Sequence, residues 1–565
     1  VTHSDWNGRL VSVPDDRARR YRASGEWSTE PTGRRLHQVA LRFPGRKAVI
    51  TRDESITYAE LDTRTDQIAA ALIGLGFRRL DPVLFQLTNR MGTVLAWYGC
   101  LKAGLVPVAT LAAHRMHEIG HISRKVGAVG HIVEAGLPFD LVRFARSHAD
   151  GHPTVRHVIA VGEQSADAPA ATQLETLGTD IEPSRARALV EAAEQDTDPL
   201  DVAVFQLSGG TTGVPKVIPR THAEYWNNGL FYARHLGWDE NTRSAHLIPV
   251  IHNAGISCAL HAAHSVGACL VLATADAPAA FDLMARTRTT DVLIGHGLYQ
   301  SILAPEFGPA RAHLKRVVLS GAKVGTELFE RVDGQGCWAG QMFGMSEGLF
   351  AVSPLDSPAE ARLTTVGVPI AESDEVRILE PGTERELPDE QVGELCCRGP
   401  YTIAGYFEAP EHNSVSFTRD GFYRTGDLAK VTVIDGRRYL SIEGRIKDLI
   451  NRGGEKINAE EVEALLLAHP DIRQAAVVAM PDPRLGERTC AYAVSASGTP
   501  LSLRDVQHHL ESLGVAKFKW PERLEWVEEL PQTNVGKIDK KRLRGEIADK
   551  LTEEAPPAAR RRLGV

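Results

Sequence analysis

Cysteine is scarce and unpatterned. Seven cysteines lie scattered over 565 residues, only Cys396 and Cys397 are adjacent, and there is no CxxC pair. That excludes a disulfide framework and sets the expectation of a reducing cytoplasm. No apolar run approaches the roughly 20 residues that cross a bilayer, so no membrane partner is expected. The stretch Val1-Thr-His-Ser-Asp-Trp-Asn-Gly-Arg-Leu10 lacks the apolar core of a signal peptide. Basic residues are not in excess. The 64 Lys and Arg against 72 Asp and Glu leave a net charge of −8, which argues against a non-specific nucleic-acid binder. No internal repeat of fixed period is present. The length is too great for one core, so two or more domains are expected.

What is present is an alternation of short apolar runs and helical patterns. Residues 1–45 are rich in arginine and polar side chains and read as an arm on the main domain. Strands are expected at Lys47–Ile50, Asp81–Leu87, His157–Val161, Asp201–Gln206, Ala245–Ile251, Ala268–Ala273, Val292–Ile294 and Arg316–Leu319. A helix is expected from Tyr58 to Gly74-Leu-Gly76, and another leads into Leu101–Val108, a helix end followed by a strand. This βαβ rhythm implies parallel sheets covered by helices. Near residue 390 the texture shifts to shorter antiparallel strands, at Gly393–Gly399 and Arg438–Ile442. After Lys447 a compact α+β module is expected, with a helix at Ala459–Ala468 and strands at Gln474–Met480 and Thr489–Val494. The Pro-rich polar tail from Thr552 reads as disordered.

The stretch Leu207-Ser-Gly-Gly-Thr-Thr-Gly-Val-Pro-Lys216 follows a buried strand. Glycines that free the backbone, hydroxyls, N–H groups and one cation suit a polyphosphate. It is not a Walker A loop, because the Gly-Lys-Ser/Thr tail is missing. Alone it could be a flexible turn. Four other stretches have equally plain readings when taken singly. Phe343-Gly-Met-Ser-Glu347 carries a glutamate that could hold Mg²⁺. Tyr423-Arg-Thr-Gly-Asp427 places an aspartate on a turn, fit to accept two ribose hydroxyls. The segment Glu443–Lys456 is charged and glycine-bearing. Pro531-Gln-Thr-Asn-Val-Gly-Lys537 presents a lysine from a glycine turn.

In this order and at these intervals the set resembles the adenylate-forming superfamily of acyl-CoA synthetases, peptide-synthetase adenylation domains and luciferases, from about Tyr58 to Lys541. The resemblance implies an α/β fold: a large N-terminal domain of two αβ sheets plus a distorted β-barrel, residues 1–446. A small mobile α+β C-terminal domain would follow, residues 447–551, then the tail 552–565. It implies ATP and Mg²⁺. Ser208, Gly209, Gly210, Thr211, Thr212 and Gly213 would hold the β- and γ-phosphates with Lys216, and Glu347 would carry Mg²⁺. Gly321, Met342 and Gly344 would form the adenine wall, and Asp427 with Arg445 would hold the ribose. Lys537 would bridge the substrate carboxylate and the α-phosphate. Carboxylate and ATP are both anions, so this chemistry needs charge neutralisation and alignment more than acid–base groups. Lys447 would be the hinge for a second, thiol-transfer step, with Arg452, Gly453, Gly454 and Lys456 along the path of a pantetheine arm.

Three local features resemble the branch that activates 2,3-dihydroxybenzoate or salicylate: Ser208–Gly213, Ile218-Pro-Arg-Thr-His222 and Lys447–Lys456. There His252, Asn253, Cys258, Ser346 and Phe350 would line the aryl-acid pocket. An amide at Asn253 can donate and accept, so it suits a phenol or an aniline. Cys258 replaces the serine expected for a 3-hydroxyl and behaves as a small hydrophobe. Phe350 should shrink the pocket, whereas Ala254 could open it. Salicylate is the first choice of acid. 3-Hydroxypicolinate, anthranilate, methylsalicylate and benzoate stay open, and 2,3-dihydroxybenzoate is disfavoured. The thiol acceptor is a carrier protein's phosphopantetheine, supplied in trans, or free coenzyme A. A silent binding module with this fold is the remaining reading, and intact Lys216, Glu347, Asp427 and Lys537 count against it.

Overall fold

The computed structural model describes residues 4–164, 171–208, 215–322, 324–452, 455–482, 484–533 and 537–554. By its contacts the chain divides into two compact units. One comprises Val1–Val376 with Cys397–Tyr423, the other Arg377–Cys396 with Arg424–Val565.

The first unit holds two sheets. One runs in the order Thr172–Gln173, His157–Val161, Gly130–Glu134, Pro82–Gln86, Val106–Val108, Val202–Leu207, Val217–Thr221. Its neighbours are parallel except for the last pair, which is antiparallel. The nine-stranded sheet runs Val368–Pro369, Phe350–Val352, Trp338–Gly344, Arg316–Ser320, Asp291–Gly295, Arg243–His246, Cys269–Leu272, Lys47–Ile50, Ser55–Thr57. Its middle is parallel and its edges antiparallel. One apolar core takes Val83, Phe85 and Ile132 from the first sheet and Val49, Leu270 and Val318 from the second. Helix Met91–Lys102 contributes Val94, Trp97 and Tyr98 to that core and is buried around almost its whole circumference. That is why its sequence is apolar on every face. Helix Tyr58–Gly74 starts where expected, because Thr57 and Glu60 exchange bonds in a capping box.

One expected strand is shorter than its apolar run. Ala245–Ile251 forms strand only up to His246. Pro249 has no N–H to give a ladder. The following backbone bonds instead to one side chain: Asn89 donates to Ile248 O at 2.9 Å and accepts from Val250 N at 2.7 Å.

A four-stranded sheet, Glu375–Leu379, Gly393–Arg398, Tyr423–Ile434, Arg437–Arg445, belongs mostly to the second unit, with Glu375–Val376, Cys397–Arg398 and Tyr423 counted in the first. The second unit also contains the α+β module expected after Lys447. There the antiparallel pair Ile472–Asp482 and Gly486–Ser495 alternates between two cores. Ala475, Val477, Ala491 and Ala493 face helices Ala459–Leu467 and Leu503–Ser512. Ala476, Val478, Cys490 and Tyr492 face helix Lys540–Glu554. A period of two along each strand thus covers both faces. The last helix runs through Glu554, so Thr552, Glu553 and Glu554, expected in the disordered tail, are helical; the rest of that tail lies outside the described residues. The fold class is the one expected: a large α/β part with two sheets, an antiparallel sheet and a smaller α+β part.

Candidate active site

Gly321, Met342, Gly344 and His252 all lie at or just beyond the carboxyl ends of parallel strands of the nine-stranded sheet. In open α/β sheets that edge is where ligands bind. The glycine-rich loop leaves the carboxyl end of Val202–Leu207 and returns as Val217–Thr221. Its two ends are tied together: Ser208 N donates to Lys216 O at 3.0 Å, and Lys216 N donates to Ser208 Oγ at 3.0 Å. Gly209, Gly210, Thr211, Thr212 and Gly213 lie outside the described residues.

Lys216 places its ammonium 5.0 Å from the centre of the Tyr406 ring. Burial lowers its pKa, and the Glu347 carboxylate opposes that shift. Glu347 is itself buried, and its Oε1 accepts from the Tyr406 hydroxyl at 2.6 Å. The Tyr406 and Tyr423 hydroxyls are 2.8 Å apart, and burial with the nearby carboxylate pushes the Tyr406 pKa up. The turn that carries Glu347 depends on Gly348, at φ +138°. A Cβ there would sit 1.8 Å from Tyr401 O. Among the described residues Oε2 of Glu347 has no hydrogen-bond partner. A single carboxylate oxygen of this kind, completed by phosphate and water, is how Mg²⁺ is usually held.

Asn253 begins a short helix, Asn253–Gly255, that His252 caps by accepting from Ala254 N at 3.4 Å. The next turn, Ile256–Leu260, is π-helical, a distortion common at functional sites. Asn253 is buried. Its Oδ1 accepts from Arg220 Nη1 at 3.2 Å and from Tyr225 OH at 3.0 Å, and its Nδ2 donates to Met345 O at 3.2 Å. Arg220 has no exposed surface and is paired with Glu224 through bonds of 2.8 and 2.6 Å. It also donates to Ser346 O at 2.9 Å, so one guanidinium joins Asn253 to the turn that carries Glu347.

Cys258 is buried with its Sγ 4.0 Å from Met342 Sδ. Burial pushes its pKa up, so it stays a neutral thiol in apolar surroundings. Phe350 pairs across the strands with Gly344, where a Cβ would come within 2.8 Å of both the Phe350 ring and Met342 Cε. Met342, Gly344, Cys258 and Phe350 are therefore brought together. Gly321 is exposed beside His296 with φ +100°.

In the second unit Asp427 and Arg445 stand opposite each other on paired strands, and Arg445 Nε lies 2.8 Å from Asp427 Oδ1. Asp427 is buried, and its own N–H donates to Thr425 Oγ1 at 3.0 Å. Lys537 is in the same neighbourhood. It keeps an exposed surface, yet its pKa is lowered by the protein around it and then by Arg445 and Lys447, with Asp427 and Glu460 opposing. Lys447 is lowered likewise, by burial and then by Arg445. Arg445, Lys447 and Lys537 thus share this neighbourhood with the carboxylates of Asp427, Asp448 and Glu460. Arg452 is occupied: it bonds Glu522 twice, at 3.1 and 3.0 Å. Gly453 and Gly454 lie outside the described residues, as does the side chain of Lys456, which is on strand Glu455–Asn458.

The sequence reading missed Arg220, Glu224, Tyr225, Gln206 and Tyr406. The pair Arg220–Glu224 had a signal, opposite charges four residues apart at a strand–helix junction otherwise buried. Tyr406 had none, since it reaches Glu347 from 59 residues away.

The fold, with these side chains at the carboxyl ends of its strands, points to an ATP-dependent adenylate-forming ligase. Comparison with known proteins agrees. Residues 36–407 match the family described as AMP-binding enzyme, and residues 461–537 its C-terminal domain. A Streptomyces salicylyl-CoA synthase / salicylate adenylyltransferase is 37% identical, over 96% of this chain and 98% of its own length. A 2,3-dihydroxybenzoate-AMP ligase from Bacillus subtilis is 38% identical, over 95% of this chain and 97% of its own. The apo structure of Mycobacterium smegmatis MbtA superposes with a TM-score of 0.72 at 36% identity, covering 96% of this chain and all of that one. The chain belongs to the AMP-binding enzyme family, in its aryl-acid ligase branch.

Proposed function

We propose that the protein activates salicylate. The salicylate carboxylate attacks the α-phosphorus of ATP, pyrophosphate leaves, and salicyl-adenylate forms. A phosphopantetheine thiolate of a carrier protein then attacks the carbonyl carbon, and AMP leaves. Relatives of nearly equal identity are named for salicylate and for 2,3-dihydroxybenzoate. The pocket must therefore decide between the two acids. The observation that carries the choice is Cys258, a buried neutral thiol against the Met342 thioether. It gives a 3-hydroxyl nothing strong to bond, and burying a hydroxyl without a partner costs about 1–3 kcal/mol.

In this reading Lys216 and the loop 208–213 hold the leaving pyrophosphate, and Glu347 offers Oε2 to Mg²⁺, which when bound neutralises phosphate charge. Asp427 and Arg445 take the ribose. Lys537 meets the charge that develops at the α-phosphorus, and Lys447 is the hinge between the half-reactions, with residues 447–551 as the domain that turns. His252, Asn253, Ser346 and Phe350 shape the acid pocket. Arg452, in its pair with Glu522, supports the strand along the pantetheine path rather than reaching into it. A cytoplasmic location fits seven free, buried cysteines.

Free coenzyme A is the second reading of the acceptor, favoured by the relative named as a salicylyl-CoA synthase. Pyrophosphate–ATP exchange over a panel of aryl acids tests the first half. Salicylate should lead the panel, and 2,3-dihydroxybenzoate leading instead would refute the choice. Thioester formation with coenzyme A against holo carrier protein tests the second half.

A further inference from the structure

We propose that Arg220 and Tyr225 are positioning residues that lock the Asn253 amide as a hydrogen-bond donor, so that the pocket takes an aryl acid whose ortho group accepts and rejects one whose ortho group donates. The inference rests on the reading that Asn253 meets the ortho substituent.

Two separate chains of bonds fix the amide. A guanidinium can only donate, so the Asn253 atom 3.2 Å from Arg220 Nη1 is the oxygen. The second chain starts at a carbonyl. Ile251 O can only accept, so the Gln206 atom 3.1 Å from it is Nε2. That nitrogen also donates to Tyr225 OH at 2.9 Å. The tyrosine proton is therefore left for Asn253 Oδ1, 3.0 Å away. With Oδ1 holding two donors, Asn253 has only Nδ2 to offer. One of its hydrogens goes to Met345 O at 3.2 Å. Among the described residues the other meets no acceptor, although Asn253 is 2% exposed. A buried N–H without a partner calls for a ligand atom that accepts.

Ortho-substituted benzoates differ in just this respect. In salicylate the hydroxyl proton turns to the neighbouring carboxylate, and the phenolic oxygen presents a lone pair outward. In anthranilate one N–H turns to the carboxylate and the second points outward, while the nitrogen lone pair is delocalised into the ring. Salicylate completes the Asn253 bond, whereas anthranilate sets donor against donor. The 2-amino acids are thereby separated from the 2-hydroxy acids, a distinction that the residue type alone leaves open.

The test is pyrophosphate–ATP exchange by the full chain with salicylate, benzoate and anthranilate. Salicylate should exceed anthranilate in kcat/KM by at least about tenfold, with anthranilate no better than benzoate. Anthranilate matching salicylate, with both above benzoate, would overturn the locked amide but keep the ortho-substituent reading. Benzoate equal to salicylate, or no exchange with any of the three, would overturn both. Asn253→Asp swaps the outward donor for an acceptor and should reverse the order of the two acids; an unreversed order counts against the proposal. Arg220→Gln with Glu224→Gln leaves no charge unpaired and frees the amide to turn. The salicylate-to-anthranilate ratio should then fall toward one. Equal loss with both acids would mean a purely structural role and would overturn the assignment of Arg220. If either variant fails to fold, the wild-type panel decides.

Discussion

At the scale of single residues, the charged groups proposed for the site stand in motifs visible in the sequence, and the residues that contact them do not. Lys216, Glu347, Asp427, Arg445 and Lys537 stand in short stretches with a glycine at hand. Arg220, Tyr225 and Tyr406 act through contacts the chain makes only when folded. Lys537 yields a prediction with a sign. Its pKa lies below the ordinary 10.5, first through desolvation by the protein around it and then through Arg445 and Lys447. Adenylation that needs the ammonium must fall as pH rises through that lowered value. The alkaline limb of the exchange rate should therefore lie below 10.5. Lys537→Arg should move the limb upward, because guanidinium keeps its proton. Lys537→Ala should slow exchange by about 100- to 1,000-fold, as loss of a positioned charge does. An unmoved limb in the arginine variant would detach Lys537 from the profile. Cys258 yields a second prediction. Cys258→Ser places a hydroxyl beside Met342 and should raise the ratio of 2,3-dihydroxybenzoate to salicylate turnover. An unchanged ratio removes Cys258 from the pocket wall.

At the scale of elements, regular periodicity was readable and interruptions were not. Many strands of both sheets announced themselves as apolar runs, but Gly130–Glu134, Val217–Thr221 and Trp338–Gly344 did not, and the Thr57–Glu60 capping box went unread. The end of the strand at His246 depended on Asn89, a side chain more than 150 residues earlier. The π-helical turn at Ile256–Leu260 left no mark on composition. Helix packing in the first unit rests on another unannounced feature. Lys102 is fully buried and bonds Asp62 and Asp66 at 2.6 Å each, joining helix Met91–Lys102 to helix Tyr58–Gly74. Removing one partner of a buried pair costs about 3–5 kcal/mol. Lys102→Ala should lower the denaturant midpoint accordingly, whereas a change within experimental error would mean the site is wet. The same cluster is acid-sensitive. Burial raises the Asp62 pKa, but His37 and Lys102 overcome it and hold the carboxyl at about 2, below the ordinary 3.8. A depressed carboxyl stabilises the fold above its unfolded value, so this contribution is present above pH 3.8 and is lost as pH falls toward 2. Lys102→Ala should flatten that acid limb.

For the whole molecule, length and texture gave the number of parts, and the chemistry of each part follows from which residues it owns. Asn253, Cys258 and Phe350, with Arg220 and Tyr225, all belong to the unit of Val1–Val376 and Cys397–Tyr423. Asp427, Arg445 and Lys537 belong to the other. Each unit has its own apolar cores, so each is expected to melt cooperatively, and the chain as a whole should depart from two-state behaviour. A ligand stabilises the part it binds by mass action, by about 2.7 kcal/mol at about 100 times its Kd. Salicylate alone touches only pocket residues of the first unit in the proposed reading. In calorimetry it should raise the transition of that unit and leave the other in place. Native-state hydrogen exchange would show the same split, with protection gained around residues 217–265 and 338–352 and none in residues 455–554. Equal protection in both units would assign the acid a site other than the Asn253 pocket. Asn253→Asp, with its amide donor gone, should abolish the salicylate shift while leaving the melting of the second unit where it was.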